Sequence, residues 1–460
     1  MTTQINRRGF LGTAALVAVS QPLITSSVFA DYAVAPAKRR AASGLTATDP
    51  IMVGYSRAVA AMKALPATDP CSWTAQAAIH APGFGPAGPC DHGTWFWAWH
   101  RMYLYFFERI IRHKSGMYDW ALPYWDYDWE TVVSPPVQRQ IPAPLRVTGS
   151  PLYDGTRNAT LNGGGSLSPA TTATAAGFVP TNYMSAQGSF RGTPHNVVHT
   201  SVCGNMCVFP TAGLDPLFWL HHCNIDRLWN LWLAKGGGRS SPLNDSTWRG
   251  ATYTFYDECC NQVRMTPCEI LRAAQQLSYV YEVEPPQVNQ TCPRIIRFPD
   301  WVLETLRLDL QVPLVLDGEK HVPLVGARSD IGEKLLSAAK EPAAELVMQF
   351  KDVMADRNPE TSWEVYVGPR GRVKTVAESP NFVGNVAMFG DGIKGEGHHV
   401  GEFSFPLGRA LREGFDPSQL EIILVPSSGI VVDGRPVPPK IQAPIRVGEV
   451  SLQVERARPQ

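Results

Sequence analysis

Residues 215–229 read DPLFWLHHCNIDRLW, and this stretch decides the fold. Pro216 suits the first turn of a helix, and from Leu217 to Leu233 the chain stays apolar at helical spacing with no glycine or proline to stop it. A helix this apolar belongs in a core. It nevertheless carries His221 and His222 and, four residues after the second, Asp226. Polar rings in apolar sequence are costly unless something inside compensates them. An imidazole ligates a metal well when its other nitrogen is held by an acceptor, usually a nearby Asp, for which Asp226 is the candidate, or a backbone carbonyl. Upstream, PHNVVH at 194–199 sets His195 and His199 four residues apart, so that on a helix both rings leave one face. Either signal alone is weak, but together they suggest a three-histidine group.

A second group lies in IHAPGFGPAGPCDHGTWFWAWHRMYLYFFERI, residues 79–110, where His80, His92 and His100 stand in aromatic sequence. Taken singly, each could equally be a core histidine bonded to backbone. Two trios point to metal. Neutral imidazole suits zinc, copper, iron and nickel, whereas the lack of carboxylates disfavours magnesium, calcium, manganese and the two-histidine-one-carboxylate iron sites. Two such ions facing each other leave open positions for a small bridging ligand such as dioxygen. The stripe Trp95, Trp97, Trp99, Tyr103 and Phe106 is read mainly as core packing.

Around these motifs the chain divides. PIMVGYSRAVAAMKAL, ending at Pro66, and the run from about Arg101 to His113 have helical spacing, while residues 130–190, rich in Pro, Gly, Ser and Thr, are expected to wander over the surface. Beyond Tyr281, PPQVNQTCPRI reads as a linker, and SWEVYVG, NFVGNVAMF, GEFSFPL, LEIILVP and IRVGEVSLQVE read as short strands. The expected fold class is multi-domain α+β: a mainly helical catalytic domain at 31–282, a four-helix bundle holding the metals, then a linker region at 283–340 and a β-sandwich-like domain at 341–460. Residues 1–30 contain Arg7 and Arg8, a short apolar stretch and Val28-Phe29-Ala30, which read as a twin-arginine signal peptide and a periplasmic or secreted location. With 41 basic and 41 acidic residues, no global field draws the chain to nucleic acid or a membrane surface.

These motifs resemble the type 3 copper proteins of the tyrosinase and polyphenol oxidase (catechol oxidase) group, most nearly the plant enzymes and their bacterial relatives. The resemblance spans roughly residues 50–282, up to Tyr279-Val280-Tyr281, and continues more weakly into the strands. It implies two copper ions, one held by His80, His92 and His100 and the other by His195, His199 and His222, with His221 as the alternative to His222. It further implies a thioether from Cys90 to His92, a gate ring at Phe209 over the first copper, and orientation of the ligands by residues such as Asp226. Eight other cysteines allow 105 pairings, among which sequence does not choose.

Two positions bear on which phenols react. Asn196 matches the residue associated with monophenol hydroxylation, whereas Arg191 stands where the family usually has a water-holding Glu. The expectation is therefore an oxidase that turns o-diphenols into o-quinones, with weak or absent monophenol hydroxylation. The alternatives are a full tyrosinase and, from another class, a haemocyanin-like dioxygen carrier. Expected partners are a phenolic small molecule, dioxygen and a metal-loading chaperone.

Overall fold

The computed structural model describes residues 35–81, 93–127, 136–282, 285, 288–292, 301–307, 313–323, 337–338, 341, 344–390, 401–408, 410–411 and 419–457. The signal-like segment, Cys90 and His92 lie outside these residues. Helix α1 spans Pro50–Lys63, α2 Trp73–Ala78, α3 Phe96–Ser115, α4 Ala159–Asn162, α5 Tyr183–Phe190, α6 Val197–Val202 and α7 Pro216–Ala234. Asp49 starts α1 by accepting from the Ile51 amide at 2.9 Å, and Asp215 does the same for α7 through Leu217 at 2.8 Å. Gly116, at φ +71°, ends α3 in the left-handed conformation.

Helices α1, α3 and α7 build one core. Along α1, Met52, Tyr55, Val59 and Met62 are buried, while α3 and α7 are buried almost all round. Phe107 on α3 stacks on Trp219 of α7 with centroids 3.4 Å apart, and Trp97 stacks on Trp229 at 5.8 Å. Strand Ala37–Arg39 pairs in parallel with Tyr279–Tyr281, bringing both ends of the helical region together. None of the described helices is long and apolar enough to cross a membrane.

The strand-rich half forms two antiparallel sheets. One is ordered Phe382–Val386, Ser362–Pro369, Leu420–Ser427, Lys320–Pro323. The other is ordered Gly401–Pro406, Ala344–Ala355, Ile445–Ala457, Trp301–Arg307, with Leu314–Leu316 also pairing to Ile445–Ala457. Buried residues of both, including Val365, Leu424, Met348 and Leu452, share one apolar cluster. The segment expected as a linker thus supplies the strands at 301–307, 314–316 and 320–323. Residues 36–460 form one compact unit.

The expectation of a surface excursion at 130–190 is corrected for its described residues, 136–190. Leu145, Leu152, Leu161 and Arg157 are buried, and the Arg157 guanidinium meets the Asp215 carboxylate at 2.8 and 2.6 Å. That pair fixes the loop to the start of α7. Disulfides join Cys71–Cys260, Cys203–Cys207 and Cys268–Cys292, which leaves Cys223 and Cys259, among the described cysteines, outside any disulfide.

Candidate metal centre

The core helices converge on histidine. His80 follows α2, His100 lies on α3, His195 just precedes α6, His199 lies on it, and His221 and His222 lie on α7. All six are buried. Their ligating atoms fall into two overlapping groups, His195, His199, His221 and His222 in one and His80, His100 and His222 in the other, each within 4.8 Å. His222 belongs to both, and its Nε2 lies 3.3 Å from that of His199. The His100 and His222 rings stack at 4.1 Å, and the His195 and His199 rings are 4.6 Å apart.

Four rings are held at Nδ1 by an acceptor: His80 by the Phe209 carbonyl at 3.0 Å, His100 by Phe96 at 2.8 Å, His199 by Met206 at 2.7 Å, and His195 by the Asn196 side-chain oxygen at 2.8 Å. A carbonyl can only accept, so Nδ1 carries the proton and the Nε2 lone pair is available to a metal. Burial pushes His80 down to about 4, against the opposing effect of the Phe209 carbonyl. Burial, then mutual repulsion, also holds His100, His195, His199, His221 and His222 well below the ordinary histidine value. Neutral imidazoles with oriented nitrogens fit copper, and neither group contains a carboxylate. His221 differs from the four in that its Nδ1 meets a hydroxyl, that of Tyr127, at 2.9 Å.

Asp226 is engaged with charged and hydroxyl groups rather than with a histidine ring. Its carboxylate meets Arg39 and Arg101 and the hydroxyls of Tyr279 and Tyr281. Burial opposes its ionisation, but Arg101 and Arg39 outweigh this and hold it below the usual carboxylate value. Two buried guanidiniums need a counter-charge more than a neutral ring needs an acceptor. The acceptors that do orient the rings are mostly backbone carbonyls, and only Asn196, next to His195, could have been suspected from sequence.

The remaining expected residues fall in different places. Phe209 packs against His80 with centroids 4.6 Å apart. Arg191 is directed at the sheets, its Nη2 donating to the Glu402 carbonyl at 3.0 Å. Sequence reasoning missed Phe389, which comes from the strand-rich half and stacks on His199 at 3.8 Å and 12°. It also approaches His195 at 5.6 Å and Phe209 at 5.7 Å. The backbone beside it is tied down: Asn196 Nδ2 donates to the Ala387 carbonyl and Thr200 Oγ1 to the Met388 carbonyl, both at 3.2 Å. Asn385 receives a further anchor, its amide donating to Thr193 Oγ1 at 2.8 Å.

Comparison with known proteins agrees with this donor set. Residues 70–172 and 147–235 match the common central domain of tyrosinase, and residues 242–292 match the polyphenol oxidase middle domain. The chain is 29% identical to the tyrosinase HcTyr1 of Hahella sp. over 479 aligned positions, covering 88% of this chain and 97% of that one. It is 34% identical to the latent polyphenol oxidase of Prunus armeniaca, but spans only 47% of that protein's length and 51% of its own. The fold matches latent aurone synthase at a TM-score of 0.66 and 23% identity, covering 92% of this chain and 90% of that one. It matches latent apple tyrosinase at 0.65 and 22%, covering 92% and 98%. With the two domains matched in order and its buried histidines suited to a dicopper site, residues 70–292 of the chain carry the common central domain of tyrosinase and the middle domain of polyphenol oxidase, and its relatives are tyrosinases and polyphenol oxidases.

Proposed function

We propose that this oxidase turns o-diphenols into o-quinones with dioxygen, and that monophenol hydroxylation is weak or absent. The observation that carries the reading is the pair of overlapping histidine groups, buried and neutral, with four of their six rings held at Nδ1 by an acceptor. His80, His92 and His100 would hold one copper and His195, His199 and His222 the other, with His221 the alternative to His222. When bound, the copper pair supplies the two-electron redox chemistry with dioxygen. A Cys90–His92 thioether would fix the His92 ring. We assign residues 31–282 to a four-helix catalytic domain and the sheets to a β-sandwich cover, with export by the twin-arginine route and loading by a metal chaperone.

The protein's own residues set the selectivity. A monophenol must lose a proton before it can engage the metal, and a carboxylate-held water is a suitable acceptor. Arg191 stands in the place of that carboxylate, offers only donors, and gives one of them to the Glu402 backbone carbonyl. The Asn196 amide is occupied, its oxygen by His195 and its nitrogen by Ala387. Phe209 and Phe389 narrow the approach to the histidines, so substrate entry requires Phe389 to move. A haemocyanin-like role would need access for dioxygen alone and no turnover.

The test measures copper per chain and compares initial rates on 4-methylcatechol and 4-methylphenol, for the unaltered protein and for Arg191→Glu. About two coppers and a large diphenol preference are expected, with monophenol turnover rising in the variant. Comparable rates on the two substrates would overturn the selectivity, and copper binding without any quinone would favour the carrier.

A further inference from the structure

The ends of two of the orienting hydrogen bonds come from one short loop. His199 lies on α6, which ends at Val202; beyond that end, Met206 turns its carbonyl back onto His199 Nδ1 at 2.7 Å. Further along, the Phe209 carbonyl accepts from His80 Nδ1 at 3.0 Å. The loop between α6 and α7 therefore holds one histidine of each metal group. Flanking the first of these carbonyls, Cys203 and Cys207 form a disulfide with their Cα atoms 4.3 Å apart.

The chain inside this ring is forced into a tight reversal. Cys203 has φ +54° and its amide donates to the His199 carbonyl at 3.0 Å, while the Met206 amide donates to the Cys203 carbonyl at 3.1 Å. Gly204 follows at φ +60°, and a Cβ there would stand 2.3 Å from the Thr156 carbonyl oxygen. Other bonds hold the loop from outside: Asn205 Nδ2 donates to Asp154 at 2.8 Å, and Asn358 Nδ2 to the Cys207 carbonyl at 2.8 Å. These fix where the loop sits. The disulfide is the covalent link that fixes the distance between the end of the helix carrying His199 and the carbonyl that orients it.

Stability is a poor reason for this bond. A cross-link stabilises chiefly by removing loop entropy from the unfolded chain, and that contribution grows with the loop closed. Cys203–Cys207 spans a sequence separation of 4, against 189 for Cys71–Cys260 and 24 for Cys268–Cys292. Its leverage on the unfolded state is the smallest of the three, whereas its position relative to the histidines is the most intimate.

We propose that the Cys203–Cys207 disulfide is a positioning cross-link for both halves of the metal centre, holding the Met206 and Phe209 carbonyls where they orient His199 and His80. The inference rests on the dicopper reading. Loss of outer partners of metal-bound histidine typically weakens metal binding about 10- to 100-fold, so the bond should control how firmly copper is retained rather than whether the chain folds.

The experiment compares three copper-loaded full-length proteins: unaltered, Cys203→Ser/Cys207→Ser, and Cys268→Ser/Cys292→Ser as a control that opens a longer loop away from the histidines. Copper per chain, the rate of copper loss to excess EDTA, and Tm are measured for each. The expected result is a rate of copper loss raised about tenfold or more in the first variant with little change in Tm, and the reverse pattern in the control. Equal copper loss in the unaltered protein and the first variant would overturn the proposal. So would equal loosening in both variants, or a first variant that fails to fold, since either result assigns the bond to general stability. If the unaltered protein itself fails to bind about two coppers, it is the dicopper reading that falls.

Discussion

A buried histidine is defined by what holds its second nitrogen. In this centre those partners are mostly carbonyls, one of which lies 129 residues from its histidine, between His80 and Phe209. The histidines themselves were legible, because polar rings at helical spacing in aromatic sequence are rarely left uncompensated. Their orientation was not, because any residue type can present a backbone carbonyl. Asp226 shows the opposite case: its spacing from His222 is right for a partner on the same helix, while its carboxylate meets Arg39 and Arg101. Phe389 was illegible for a further reason, since nothing in NFVGNVAMF marks one ring among several apolar neighbours. Its placement gives a prediction. Phe389→Ala removes a ring that is 1% exposed and stacked on His199, so docking over the site should weaken while the metal groups stay intact. Diphenol kcat/KM should rise severalfold with copper per chain unchanged; an unaltered rate would show that Phe389 does not obstruct entry.

At the scale of elements, α1, α3 and α7 follow from periodicity, with α3 starting at Phe96, earlier than the expected Arg101, because its first turn is buried too. The strands after residue 340 follow from alternation and turn residues in the same way. The loop at 130–190 does not, because glycine and proline content reports irregularity, not exposure, and buried side chains can hold such a loop. Arg157 is one of them, and its partner Asp215 also starts α7. Arg157→Met should therefore leave a buried carboxylate uncompensated and cost roughly 3–5 kcal/mol. The check is the midpoint of denaturant unfolding; a change under about 1 kcal/mol, the range of exposed pairs, would mean that the ion pair is replaceable.

Across the whole molecule, the five-stranded sheet meets α5 and the residues just before it in part through carboxylates. Glu345 and Glu455 stand directly opposite each other in register. Glu345 accepts from the amide and hydroxyl of Thr181 at 2.7 Å, and Glu455 accepts from Ser185. Arg239 is the cation facing Glu345, while Arg456 is engaged with Glu341 on the neighbouring segment. Burial, reinforced by Glu345, pushes the Glu455 carboxyl up to about 7, and burial raises Glu345 as well. A carboxyl raised by docking binds its proton more tightly when docked, so its contribution to docking is complete below the ordinary glutamate value and fades as pH climbs through about 7. Hydrogen-exchange protection of residues 385–390, corrected for the intrinsic rate, should fall as pH rises from the ordinary glutamate range through about 7, and Glu455→Gln should flatten that fall. Protection that is independent of pH in the unaltered protein would sink this account.

The pairing of Ser166–Leu167 with Ile430–Val432 stitches the two halves by backbone hydrogen bonds in addition to the covalent connection between them. Cys268–Cys292 keeps the chain up to residue 292 with the helical half, and every strand of both sheets begins at or after Trp301. A single proteolytic cut after Arg294 or Arg297 would therefore divide the chain at the boundary between the halves without severing any strand. The two pieces should migrate as one particle in gel filtration and as two bands in denaturant, behaving as complementing fragments. Clipping and unmasking thus become separate events, and a nicked molecule would keep Phe389 over its histidines until something displaced the sheets.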